Sequence, residues 1–339
     1  MRRAIAATIA AVTATGIGAG LVPAAHATTV TARTALHRTT VAVGQPTHAS
    51  VTPNGTVTLS GSVRDATAGK PGVRRALHLE LKTASGWVTR ATGATNATGG
   101  YTLRVPTYWY GHHTWRVVAP ATRTAAAGAS SARAVTVTVP YKARGKASSH
   151  TFMQARVVRW NPCQVIPYRV NLNGGPAETM AVVKASFAKL TAATGIRFAD
   201  KGTTSAIPFA AGKRGQLAAG ITIAWTRVST VSGLAGTAVG LGGSTWTTRP
   251  TAHYIDGGVA LDKAFPLPKL SSTSSASVKK LRTNLIESVV LHELGHVMGL
   301  GHVNDRQQVM NPVDVDGWTT YGAGDLAGLA RLGLDQGCL

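Results

Sequence analysis

The chain has 339 residues, and its 35 Lys and Arg against 13 Asp and Glu give a formal net charge of +22. A basic excess spread through both halves favours anionic partners such as cell-wall polymers, acidic glycans or acidic proteins, with a solubility bias as the plainer explanation. Nucleic acid belongs among those anionic partners too, but no helix-turn-helix, RNP or zinc-finger pattern accompanies the charge, which reads as nonspecific attraction and not sequence recognition.

At the start, Met1-Arg2-Arg3 precede an Ala-, Ile- and Val-rich stretch reaching Val22, and Ala25-His26-Ala27 closes it. A basic start, apolar middle and A-x-A end predict a secretory signal peptide over 1–27, cut after Ala27; an uncleaved anchor is the competing reading. Cutting there leaves 33 basic against 13 acidic residues, a net charge of +20. No later run reaches the roughly 18 apolar residues of a membrane span, so the processed protein is expected to be soluble, secreted and extracellular.

Length permits two domains, and composition divides the chain. After a Thr/Ala/Gly/Pro-rich lead over 28–50, alternating stretches fall at Thr56–Val63, Ala76–Lys82, Trp87–Ala91, Tyr101–Val105, His113–Val118 and Ala134–Val139. Turn clusters such as Thr52-Pro53-Asn54-Gly55 and Gly69-Lys70-Pro71-Gly72 separate them. Period-two strands at this spacing predict an all-β sandwich over 28–140. The order of strands, GKPG, GW and GGYTLRVP resembles Ig-like or carboxypeptidase-regulatory-like modules. Trp87, Tyr101 and Trp115 read as core. Tyr108, Trp109 and Tyr110 read either as core or as a platform for a glycan or wall polymer. Residues 141–150 (YKARGKASSH) are polar, basic and small, and predict an exposed linker.

Downstream, over 151–339, Arg156–Asn161 and Gln164–Asn171 read as strands. Ala177–Thr194 reads as an amphipathic helix with Val182, Val183, Phe187 and Leu190 inward, ended by Gly195. Ile196–Ala199, Ile221–Thr226 and Tyr254–Leu261 follow as strands. Ser277–Leu300 reads as a long helix with Leu281, Leu285, Val289 and Leu294 at core spacing. Cys163 and Cys338 bracket this region and predict one disulfide in an oxidising compartment. Closing a loop of about 175 residues contributes up to roughly 5 kcal/mol in the chain-entropy account.

The long helix ends in HELGHVMGLGH, residues 292–302, which fixes five positions of HExxHxxGxxH. Four residues apart, His292 and His296 share one helix face and can hold one Zn²⁺. Glu293 then sits beside the metal as a candidate general base. Gly299 lets the backbone turn in a left-handed conformation, bringing His302 round as third ligand. Three protein ligands leave a position open, which marks a catalytic site.

Eight residues on, Met310 stands in the run VMNP, which resembles the methionine turn of metzincin metallopeptidases. The spacing is most similar to matrixins, and Gly324-Asp325-Leu326-Ala327-Gly328-Leu329 resembles their C-terminal helix. The resemblance implies an α+β metzincin-type domain with a twisted mixed sheet and an active-site helix. It implies a zinc endopeptidase holding one catalytic ion and acting on protein or peptide substrates. It also implies that Asp325 braces the methionine turn, with a helix N-cap as the alternative, and that Leu234-Ala235-Gly236 form the substrate-pairing edge strand, with a surface loop as the alternative. Residues Met310 to Val313 would form a pocket wall.

The sequence departs from the family pattern at Val303, where matrixins carry Ser, and in lacking their acid-rich calcium loops. His253 and Asp256 are the nearest candidates, so calcium dependence stays open. No cysteine precedes Cys163, so none lies in the N-terminal region and a matrixin-type cysteine switch is not available. Two other readings stand beside the peptidase. The basic sandwich could be a wall- or glycan-binding module with an inactive or structural metal domain, or it could be a propeptide removed on activation.

Overall fold

The computed structural model describes residues 35–210, 220–313 and 317–339; the expected signal peptide over 1–27 lies outside them. An N-terminal β-rich region is followed by a C-terminal α+β region, and Leu36–Leu339 form one compact unit.

In the N-terminal region, β1 (Thr39–Val43), β2 (Thr58–Asp65), β3 (Ala76–Thr83), β4 (Gly86–Ala94), β5 (Gly100–Arg104), β6 (Gly111–Ala119) and β7 (Arg133–Val137) build two sheets. In one, β2 pairs antiparallel with β1 and β5. In the other, the antiparallel order is β7, β6, β3, β4. Alternate residues face inward because side chains on a strand alternate sides. Leu59, Val63, Leu77, Leu79, Leu81, Leu103, Trp115 and Val117 thereby form one core between the sheets. Each such side chain, fully buried, contributes roughly 1.5–3 kcal/mol. The first strand falls inside the lead, which sequence left without structure. Trp87 is not a core residue: it stands half-exposed on the outer face under the Arg116 guanidinium, 4.3 Å from its ring.

The C-terminal sheet comprises β9 (Val165–Asn171), β10 (Arg197–Thr203), β11 (Gly220–Thr226), β12 (Gly240–Thr247) and β13 (His253–Asp262), after the short β8 (Thr151–Phe152). Its order is β10, β9, β11, β13, β12, parallel except for the antiparallel edge strand β12. Every residue of β11 is buried, as expected of a parallel strand covered on both faces. Helix α1 (Thr179–Thr194) packs against α2 (Ala276–Met298), and α2 lies on β12 and β13. The expected strand at Arg156–Asn161 reduces to one bridge, Arg159 to His253. Leu281 is also corrected: it is 52% exposed, because α2 is buried only from Ile286 onward and Leu281 faces outward from its earlier turns.

The two regions share a packed junction. Trp109 is buried against Tyr108, His113 and Trp115, and its indole N–H donates to Asp335 Oδ1 at 3.1 Å. Leu334, near the C-terminus, packs into the N-terminal core, and Cys163 packs against that core. The backbone N–H of Tyr110 donates to Ala192 O at the end of α1, 2.8 Å away. The aromatic cluster is therefore a junction, not a glycan platform. Cys163 and Cys338 form a disulfide beside it, Cα to Cα 5.3 Å. Residues 141–150, read from sequence as an exposed linker, lie half-buried against the C-terminal region at Tyr141, Arg144 and Gly145.

Candidate active site

Helix α2 ends where its glycine C-cap, Gly299, takes φ 111°. A side chain would strain that conformation. The chain then reverses through β14 (Leu300–Gly301) and delivers His302 back over the helix. His302 Nε2 lies 3.1 Å from His292 Nε2 and 3.0 Å from His296 Nε2. Among the described residues these three form the one group of His, Cys, Asp and Glu placed to hold a metal ion. His253 and Asp256 do not join one; they contact Thr251 and Thr245 respectively.

Protonation at the site is ordered by backbone carbonyls. His292 Nδ1 bonds to Val309 O at 2.7 Å, and His296 Nδ1 to Leu300 O at 2.8 Å. A carbonyl only accepts, so each Nδ1 carries the proton and each Nε2 keeps its lone pair toward the centre. Burial pushes the His296 imidazolium down to about 4, with the neighbouring His292 acting in the same direction. Burial also lowers His302. Neutral imidazoles with converging lone pairs fit a dication.

Glu293 sits beside the ligands, 6% exposed. Burial raises its carboxyl to about 8, and the backbone N–H of Gly242 pulls the other way. That contact depends on a close approach of β12 to α2. A Cβ at Gly240 would come 2.6 Å from Glu293 Oε1, and one at Gly242 would run into the Glu293 carbonyl. Beneath the histidines, a methyl at Gly295 would run into Met310 Sδ.

Met310 is 1% exposed. Its turn is held by Asp325, whose carboxylate accepts from the N–H of Val309 at 2.7 Å, Met310 at 3.3 Å and Gly322 at 2.8 Å. The first two contacts reach the methionine turn, and the third reaches back to Gly322, the N-cap of α3 (Ala323–Ala330); Asp325 thus braces the turn from the third position of its helix and is not itself the N-cap. Burial raises Asp325 to about 6 against the pull of these N–H groups. Val303, in the place of a serine, packs in the core and its N–H donates to Met310 O at 3.0 Å.

The ligands open into a cleft of about 780 Å³. Val239, Leu241, Phe265, Leu285, Val289 and Val313 supply an apolar wall, together with Asn311 and Pro312. Met310 itself does not line it. The expected edge strand is corrected: Leu234 is buried in a short 3-10 turn, Ser232–Leu234, against Val231 and Ala260. Ala235 lines the cleft and Gly236 does not. The free sheet edge facing the site is β12, Gly240–Thr247. Sequence reasoning also missed Gln308, whose Oε1 accepts from the N–H of Gly324 and Asp325 at 2.8 and 3.1 Å. No local pattern marks that residue.

A helix carrying two metal-competent histidines and a buried carboxyl, under a sheet with a free antiparallel edge, defines a metallopeptidase-type site. Residues 159–320 match the family model for matrixin, and that match supports a zinc-dependent peptidase in general terms. No curated protein matches the chain. Similar solved structures include a tetra-tandem repeat in the extending region of a large adhesion protein, 21% identical over 29% of this chain and 24% of that one, TM-score 0.23. Another is a CARDB domain from Pyrococcus furiosus in complex with di-metal ions, 11% identical over 30% of this chain and 90% of that one, TM-score 0.20. A third is the BSP domain of a biofilm associated protein, 23% identical over 28% and 15%, TM-score 0.19. Likenesses at such TM-scores decide nothing about the fold.

Proposed function

We propose that the chain is a secreted, metzincin-type zinc endopeptidase that hydrolyses peptide bonds with Glu293 as general base. The observation that carries this reading is the convergence of the His292 and His296 Nε2 atoms on His302 Nε2, at 3.1 and 3.0 Å, beside a buried carboxyl at the floor of an apolar cleft. His292, His296 and His302 would hold one zinc ion. Zinc supplies Lewis acidity, making a water easier to deprotonate and a carbonyl easier to attack.

Glu293 takes the proton of the attacking water on its carboxylate and passes it to the leaving amine. A dication beside it favours that carboxylate, against the burial that raises it. The free edge β12 pairs with the substrate backbone as a further antiparallel strand. The wall of Leu285, Val289 and Val313 accepts an apolar side chain; among the described residues Glu293 is the one Asp, Glu, Lys or Arg that lines the cleft. The Cys163–Cys338 disulfide suits an oxidising compartment outside the cytosol, in keeping with a signal peptide over 1–27. We divide the chain into an Ig-like module over 28–140 and a peptidase domain over 151–339, with 141–150 between them. Among the described residues no helix is long and apolar enough to cross a membrane.

The test is cleavage of a diverse peptide mixture by the secreted chain, beside Glu293→Ala and a chelated sample. Cleavage by the native chain alone, lost on chelation and restored by Zn²⁺, is the expected result. A folded, zinc-loaded chain that cuts nothing would overturn the reading.

A further inference from the structure

The fate of the N-terminal region turns on where it lies. Among the described residues, the cleft lining begins at Met153, so residues 36–140 do not cover the metal centre. They also share a core with the C-terminal end of the chain through Leu334.

The chain joining the two regions runs behind the site. Tyr141 Oη donates to Tyr321 O at 3.1 Å. The Arg144 guanidinium donates to Thr320 O at 2.6 Å and stacks 3.7 Å from the Trp318 ring. The Arg144 carbonyl accepts from Ala323 N–H at 2.6 Å and from Gln308 Nε2 at 3.3 Å, beside the brace of the methionine turn.

Beyond the turn at 146–149 the same chain reaches the third-ligand loop. Met153 N–H donates to Gly299 O at 2.9 Å. Thr151 and Phe152 pair with Gly301 and Leu300, and Thr151 Oγ1 donates to His302 O at 2.9 Å. Four consecutive residues that carry the backbone from α2 to its last ligand are thus each held by residues 151–153. His292 and His296 are placed by a helix; His302 has left that helix, and its backbone is placed by this ladder.

We propose that residues 141–153 are a positioning strap for His302, and that the β-rich region is a retained part of the working enzyme, not a segment cut away to activate it. The inference rests on the zinc-peptidase reading. Thr151 is an exposed residue of the strap outside the cleft lining, and its hydroxyl holds a ligand's backbone without touching metal or substrate.

The test uses the full chain, with zinc loss to a chelator and the absorption of the cobalt-substituted protein as readouts independent of turnover. Thr151→Val keeps the shape and removes the donor; it should speed zinc loss about tenfold, the scale seen when ligand supports are removed. Thr151→Ser should restore retention close to that of the native chain. A second form carries a specific protease site at 146–148. Severing it, with disulfide and junction left whole, should also speed zinc loss and lower peptide cleavage. A severed chain that holds zinc as the intact one does and cleaves as fast or faster would overturn the inference alone. So would Thr151→Val with unchanged zinc retention and cobalt spectrum. An intact chain that binds no zinc would overturn both the inference and the function beneath it.

Discussion

The N-terminal core and the metal region bury their polar groups differently. Between the β-sheets the buried polar side chains are mostly threonines, with His113. From Glu287 to Asp325 the buried set is Glu287, Ser288, His292, Glu293, His296, Gln308, Asn311 and Asp325. Burying an ionisable group is costly unless partners satisfy it. Here Glu287 meets Lys189, Asp325 meets three N–H groups, and two histidines meet carbonyls. One region buries what is cheap and the other buries what can react, which locates function more sharply than pocket shape does.

The contrast can be broken at several points. The largest expected effect is on chemistry: Glu293→Gln, nearly isosteric, should lower peptide cleavage by roughly 10²–10⁴-fold with zinc content unchanged by elemental analysis. Full activity would remove Glu293 from its role. Next, Trp109→Ala should destabilise by about 3–5 kcal/mol and shift a single melting transition, since its neighbours belong to both regions. Two separated transitions in calorimetry would show that the regions are independent.

Losing the disulfide through Cys163→Ser with Cys338→Ser should cost about 2–4 kcal/mol, read from denaturant midpoints; an unchanged midpoint would make it ornamental. Asp325 offers a pH test. Its folded value, about 6, lies above its ordinary 3.8, so folding takes up a proton between the two. Its contribution is present below about pH 3.8 and is lost as pH rises through 6. The stability difference between the native chain and Asp325→Asn should therefore shrink over that window, by at most about 3 kcal/mol. A difference that stays flat would mean the three N–H groups hold the carboxylate ionised throughout. Smallest, Leu281→Lys should change stability by no more than about 0.5 kcal/mol, where Val289→Lys unfolds the site.

Legibility followed how local each constraint is. The ligands lie within eleven residues of one helix and its turn, so their spacing carries the geometry. Asp325 is legible only through likeness to a family, since nothing within its own helix announces a contact with Val309. Tyr108–Trp109–Tyr110 could not be assigned, because its partner Asp335 lies 226 residues away. The edge strand was placed six residues early because the glycines of Gly240–Gly243 have no side chains to show a period. Leu281 fits the helical pattern, but a pattern does not say where the body beneath the helix ends.

The three glycines at the site separate two properties of an enzyme that are usually entangled. At Gly240, Gly242 and Gly295 even one methyl collides with Glu293 or Met310, so a side chain at any of the three displaces the general base or the methionine turn. Leu285 and Val313 line the cleft without belonging to the buried core. Divergence in cleavage preference is thus confined to one side of the groove, and a redesigned wall should inherit its turnover from an untouched floor.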